Sequence, residues 1–355
     1  MNASPSQPHP AEWPETREFR DTEERGLPAG RHALHKEHLM AQIRDDIRDT
    51  TAPAAPARQR NPFLRRTILL PAAACALAGA IVGGVALYGS DSGDGTTPLA
   101  TGPALTTQIG TADAKGAPQL LDRISLAAAD ASGPTVRDGQ FLYIASKVAS
   151  TYPKTVDDKT TVVSQELHDR QVWQSPDGKD GWLIEAGETS ETGMTLAGKY
   201  PASSAYDRLA ALPTDPDALL KKINQEAAEN RDKEVPQDQA AFVALGDLLT
   251  ESYPPAKLTA AIYRAAAKIP GVVKVDDAAD ATGRHGVAVA RLNEQDGQRT
   301  EWIFDRKTLR FLGERSVQVK PDESGLFKVG TVTFTSAITQ RAVVDGNKQS
   351  PTKAG

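Results

Sequence analysis

Cysteine is nearly absent: Cys75 is the only one among 355 residues. A disulfide within the chain is thereby excluded, so the folded part must be stable by packing alone. No excess of positive charge is present either. The net charge of −5 carries no nucleic-acid signature, and direct contact with DNA or RNA is not expected. Catalytic signatures are missing as well, since no Gly-x-Ser-x-Gly, no His-Glu-x-x-His and no phosphate-binding glycine loop occurs. The chain reads as a non-enzyme without a cofactor.

Metal-ligand patterns are equally thin. His32, His35 and His38 recur every three residues, but six positions of separation rotate His38 well away from His32 on a helix. His168 stands beside Asp169 and His285 beside Arg284. Adjacency along a chain does not join side chains in space, so both read as structural or solvated. Asp276, Asp277 and Asp280 lack the spacing and glycine of a calcium loop and read as a solvated turn. No metal site is expected.

What is present is one uncharged run, residues 67–88, between Arg58, Arg60, Arg65 and Arg66 on one side and Asp91 and Asp94 on the other. At about 1.5 Å per residue it would span about 33 Å as a helix, enough for a hydrocarbon core of about 30 Å. Its eight strongly apolar residues contribute roughly −2.4 to −4.8 kcal/mol to insertion. Pro71 falls in the first turns, where proline costs least. Some 66 residues precede the run, too many for a cleaved secretory signal. Residues 61–89 therefore read as an uncleaved signal anchor in the plasma membrane. The basic flank places the N-terminus in the cytoplasm and the C-terminus outside. Gly79 and Gly83 form the Gly-x-x-x-Gly spacing that lets two such helices approach closely, which would make a homodimer.

Residues 1–60 are rich in Pro, Arg and Glu and form a cytoplasmic tail without a core. One helix is expected there, over 31–49, with Leu39, Met40, Ile43 and Ile47 on one stripe. A lone helix of that length is marginal in water, so the stripe is a candidate partner-binding surface. Beyond the anchor, residues 90–115 are rich in Gly, Ser, Thr and Pro and read as a flexible stalk. Residues 347–355 read as a disordered end.

Residues 116–346 hold three of the four tryptophans and read as one extracytoplasmic α+β domain. A first helix is expected over 117–130, then strands. Asp215, Pro216 and Asp217 supply a cap, a first-turn proline and a dipole-complementing acid for a second helix. Two more run from Asp238 and up to Ile269. Val172 to Ser175 and Trp182 to Glu185 flank a Pro/Gly turn and read as a hairpin. The end of the chain alternates as an antiparallel meander. The expected architecture is a curved antiparallel sheet packed on helices.

Several of these elements also carry a resemblance. Leu212-Pro213-Thr214-Asp215-Pro216, Ile269-Pro270-Gly271-Val272, Gly283 to Val289, Phe304-Asp305 with Leu312-Gly313-Glu314-Arg315, and Trp173 before Ser175-Pro176-Asp177-Gly178 resemble an actinobacterial family of single-pass membrane proteins without an assigned function. Leu27 to Arg31 and Lys36 to Met40 resemble its cytoplasmic motif. Such proteins are often encoded beside extracytoplasmic-function sigma factors, which implies an anti-sigma-like regulator with a sigma factor as cytoplasmic partner. The His/Cys zinc motif of many anti-sigma factors is not found here. The architecture is also distantly similar to periplasmic lipid-carrier and envelope-stress sensor domains, which implies the alternative of an envelope module binding lipid or peptide.

Overall fold

A computed structural model describes residues 99–351, apart from 132, 157–158, 199–201, 203, 231–234 and 323. The tail helix with Leu39, Met40, Ile43 and Ile47, the run 67–88 and the Gly79/Gly83 spacing lie outside the described residues. Among the described residues no helix is long and apolar enough to cross a membrane.

The fold is mixed α+β, with one large antiparallel sheet and a layer of helices. Twelve strands follow in chain order: β1 (Thr101–Pro103), β2 (Ala112–Asp113), β3 (Phe141–Val156), β4 (Lys159–Gln165), β5 (His168–Gln174), β6 (Gly181–Glu185), β7 (Met194–Thr195), β8 (Val272–Ala279), β9 (His285–Leu292), β10 (Gln298–Phe304), β11 (Phe311–Gln318) and β12 (Val332–Val344). The sheet order is β2-β8-β9-β10-β11-β12-β3-β5-β6-β7. Strand β3 is long enough to serve two neighbourhoods. Its first part pairs with β12 and β5, and its last part leaves them to pair with β4, which carries β1.

Among the described residues five helices interrupt the strands: α1 (Ala117–Asp130), α2 (Tyr206–Ala210), α3 (Pro216–Asn230), α4 (Gln237–Thr250) and α5 (Ala256–Ala266). Asp215 caps α3, its Oδ1 accepting from the Asp217 and Ala218 N–H groups at 3.1 and 2.9 Å. Leu120, Leu121 and Ile124 of α1 turn inward, one helical turn apart. They join Leu219 and Ile223 of α3, Phe242, Leu245 and Leu249 of α4, and Leu258 and Ile262 of α5 in the main core.

The sheet contributes alternate residues to that core. Val287, Val289, Trp302 and Phe304 face the helices, while Ala288, Ala290 and Ile303 face the other way with Val275. Trp302 stacks on Phe242 with ring centroids 4.1 Å apart and planes within 5°. The space between helices and sheet is therefore filled by side chains around this pair.

The outer face is covered as well. The stretch expected as a stalk enters the fold from Leu99: β1 pairs with β4, Val332 N–H donates to Leu105 O, Thr107 N–H donates to Gly330 O, and β2 pairs with β8. This strap lies so close to β8 that a Cβ on Gly110 would sit 2.4 Å from Asp277 O. The expected disordered end is likewise placed as far as Pro351, with Lys348 against Trp182 and Gln349 against Trp173. Composition suggested flexibility in both stretches because neither has a periodic pattern. Their order comes from contacts with distant residues.

Gly246 allows α4 to reach the sheet, since a Cβ there would lie 2.5 Å from Trp302 Nε1, on a ring already clamped by Phe242. Alanine is the better helix former, yet Gly246→Ala is expected to destabilise by about 1–3 kcal/mol through overpacking. Chemical denaturation of the variant checks this.

Candidate functional site

Charged residues occupy core-facing positions at the C-terminal end of α4. On β5, His168, Arg170, Val172 and Gln174 share one face, and all four are buried. Arg170 pairs directly across to Glu185 of β6, and its Nε donates to Glu185 Oε2 at 2.9 Å. Its Nη2 reaches Glu251 Oε2 at 3.0 Å. Glu251 is the C-cap residue of α4, its N–H bonded to Asp247 O at 2.9 Å.

Two acids, Asp247 and Glu251, thus sit at the helix end where the macrodipole is negative, an unfavourable place for either. Arg170 answers Glu251, and a second arginine answers the helix end itself. Arg341 of β12 donates to Leu249 O, capping an end carbonyl of α4, and its guanidinium lies 5.8 Å from the ring centroids of both Tyr253 and Phe311. Burial lowers the Arg341 pKa. Burial also works to lower that of Arg170, but the carboxylates of Glu251 and Glu185 outweigh it and hold the group above its ordinary value. Among the described residues Asp247 has no such partner. Burial first, then the charges of Glu314 and Glu251, push its pKa well above the usual carboxylate range.

His168 completes the network. Its Nδ1 lies 2.9 Å from Glu166 O, and a carbonyl only accepts, so Nδ1 carries a proton. Nε2 then faces Glu185 Oε1 at 3.5 Å, with side chains only 4% and 1% exposed.

A second ionic group lies on the outer face. Glu301, fully buried on β10, accepts from Arg299 Nε on its own strand and from Arg315 Nε opposite it on β11, both at 2.7 Å. The arginines continue to the strap: Arg299 Nη2 donates to Gly110 O at 3.2 Å and Arg315 Nη1 to Thr107 Oγ1 at 3.1 Å. Beside the strap, Pro103, Leu105, Leu167, Ala281 and Thr335 help to line a shallow groove of about 490 Å³.

Of the residues singled out from the sequence, His168 alone joins the ionic network. His285 stays at the surface, 3.1 Å from Asp277, which also pairs with Arg306. Asp280 is not a solvated turn residue. It is buried, and its Oδ1 accepts from the N–H groups of Thr282 and Arg284 to hold the turn. Among the described residues no group of His, Cys, Asp and Glu is arranged to hold a metal ion. Sequence reasoning missed Arg170, Glu185, Glu301 and Arg315. The available signal was a charge at core parity in a strand: Arg170 alternates with Val172, and Glu301 with Ile303.

Removing Arg170 strands two buried carboxylates, so Arg170→Met is expected to cost about 3–5 kcal/mol in chemical denaturation. Asp247 works the other way. Its folded pKa is raised, so the folded state binds more protons than the unfolded one between the two pKa values, and stability falls as pH rises through that window. Asp247→Asn is expected to raise the melting temperature at neutral pH and to flatten its fall as pH rises above the ordinary carboxylate range. Melting curves across that range check the sign.

No protein-family model and no curated protein matches the chain. Among solved structures, the Pseudomonas aeruginosa MucA/MucB complex aligns over 67% of this chain and 59% of that one, with 12% identity and a TM-score of 0.22. MucB in complex with MucA(peri) aligns over 64% and 55%, with 12% identity and a TM-score of 0.20. The chain spans less than two thirds of either. Likeness of this size transfers neither fold nor function to it.

Proposed function

We propose that the chain is a non-catalytic, membrane-anchored regulator. In this reading the run 67–88 crosses the plasma membrane, and the helix over 31–49 holds a cytoplasmic protein, a sigma factor being the candidate, through Leu39, Met40, Ile43 and Ile47. The extracytoplasmic α+β domain receives an external state.

One observation supports it above the others. The strap that follows the run is fastened to the sheet by the buried Arg299–Glu301–Arg315 group rather than hanging free. A change in the domain's core therefore has a mechanical route to the chain that leads to the run. The alternative, an envelope module for lipid or peptide, draws on the groove beside Leu105 and Leu167. It is the weaker reading for lipid, because the space between helices and sheet is filled around Phe242 and Trp302.

Pull-down of the intact chain from detergent-solubilised membranes tests the reading. The wild type is expected to retain a cytoplasmic protein that the triple variant Leu39→Asp, Ile43→Asp, Ile47→Asp loses. Equal retention by the two would overturn it. Protease added outside intact cells is expected to remove the C-terminal domain, and protection of that domain would refute the orientation.

A further inference from the structure

We propose that the outer face of β5 and β6 is a docking site for a short turn-forming polypeptide segment carrying a lysine or arginine, and that residues 346–351 occupy it in this structure. The platform is aromatic. Trp173 pairs directly across the strands with Trp182, and Phe141, Tyr143 and Val344 pack on the same face, with the Tyr143 and Trp173 rings 5.0 Å apart. The Lys348 ammonium lies over the Trp182 ring, 3.2 Å from its centroid. An ammonium so placed is held by the electron-rich face of the indole.

The backbone and an amide complete the recognition. Trp173 Nε1 donates to Gln349 O at 2.7 Å, and Asn347 Nδ2 donates to Asp180 Oδ1 at 3.3 Å. Residues 345–351 join no strand ladder, so these polar contacts and the cation, rather than sheet pairing, fix the end in place. Lys348 also has φ of 64°, in the left-handed region that a residue other than glycine seldom adopts. It lies in a turn closed by the Gln349 N–H donating to Gly346 O at 3.3 Å.

Every contact used here is generic to a basic segment: one cation, one carbonyl and one polar side chain. Charge complements it. Asp177 and Asp180 on the β5–β6 turn and Glu191 beyond β6 are exposed around the site, and Lys179 is drawn off by Asp177. The end of the chain therefore acts as a resident ligand that a partner's basic segment would have to displace.

The probe is a fluorophore-labelled peptide of residues 344–355, with binding read by anisotropy against the full chain. The chain carrying Lys348→Glu, whose own end is weakened, is expected to bind the peptide at least about fivefold more tightly than the wild-type chain. A peptide carrying Lys348→Glu is expected to bind neither, and Trp182→Ala in the weakened chain is expected to abolish binding. A chain ending at Asp345 repeats the measurement with the end removed. The proposal fails if neither opened chain binds the peptide while melting cooperatively, or if binding is indifferent to Lys348 or Trp182.

Discussion

Strand β10 is enclosed from both sides, and the rest of the domain is arranged around that fact. Trp302 and Glu301 are neighbours in sequence, so they point to opposite faces, and neither reaches water. Trp302 needs a flat apolar partner, which Phe242 of α4 provides. Glu301 needs positive charge and donors, because a lone buried carboxylate would cost several kcal/mol. Arg299 and Arg315 meet that need and pass their remaining donors to the strap. One strand thus fixes the helix layer on one side and the start of the domain on the other.

The two buried ionic groups differ in what they hold. The Glu301 group joins two strands and the strap with good geometry, and its acid is matched by two arginines. The group at the end of α4 is less balanced: Glu185 and Glu251 share Arg170, Asp247 feels the charges of Glu314 and Glu251, and His168 lies against Glu185. Such a group adds little net stability, since desolvation offsets most of the Coulomb gain. Its consequence is instead sensitivity to pH through Asp247, whose pKa burial and then the charges of Glu314 and Glu251 raise.

Much of the fold was legible before any coordinates. The Asp215-Pro216-Asp217 start of α3, the limits of α1 and the Trp173/Trp182 hairpin depend on local chemistry, such as a cap, a first-turn proline or a reversal. The strap and the C-terminal end were not legible. Residues 99–113 have no periodicity, and they are ordered by Ser164, Gly330 and Arg299, which are far away along the chain. The candidate site was only half visible. A charge at core parity, as at Arg170 or Glu301, marks a buried ion without saying which of many opposite charges will meet it.

The sequence by itself determined composition, the long apolar run, the helix starts and the strand alternation, because each of these is set by residues within a few positions of one another. Tertiary structure decided which charges are paired, which face of β10 meets helices, and that both ends of the domain are built into it. Those outcomes depend on cross-strand register and on desolvation. Arg170 meets Glu185, and Glu301 meets Arg315, only because β5–β6 and β10–β11 close in one register and exclude water from the pairs.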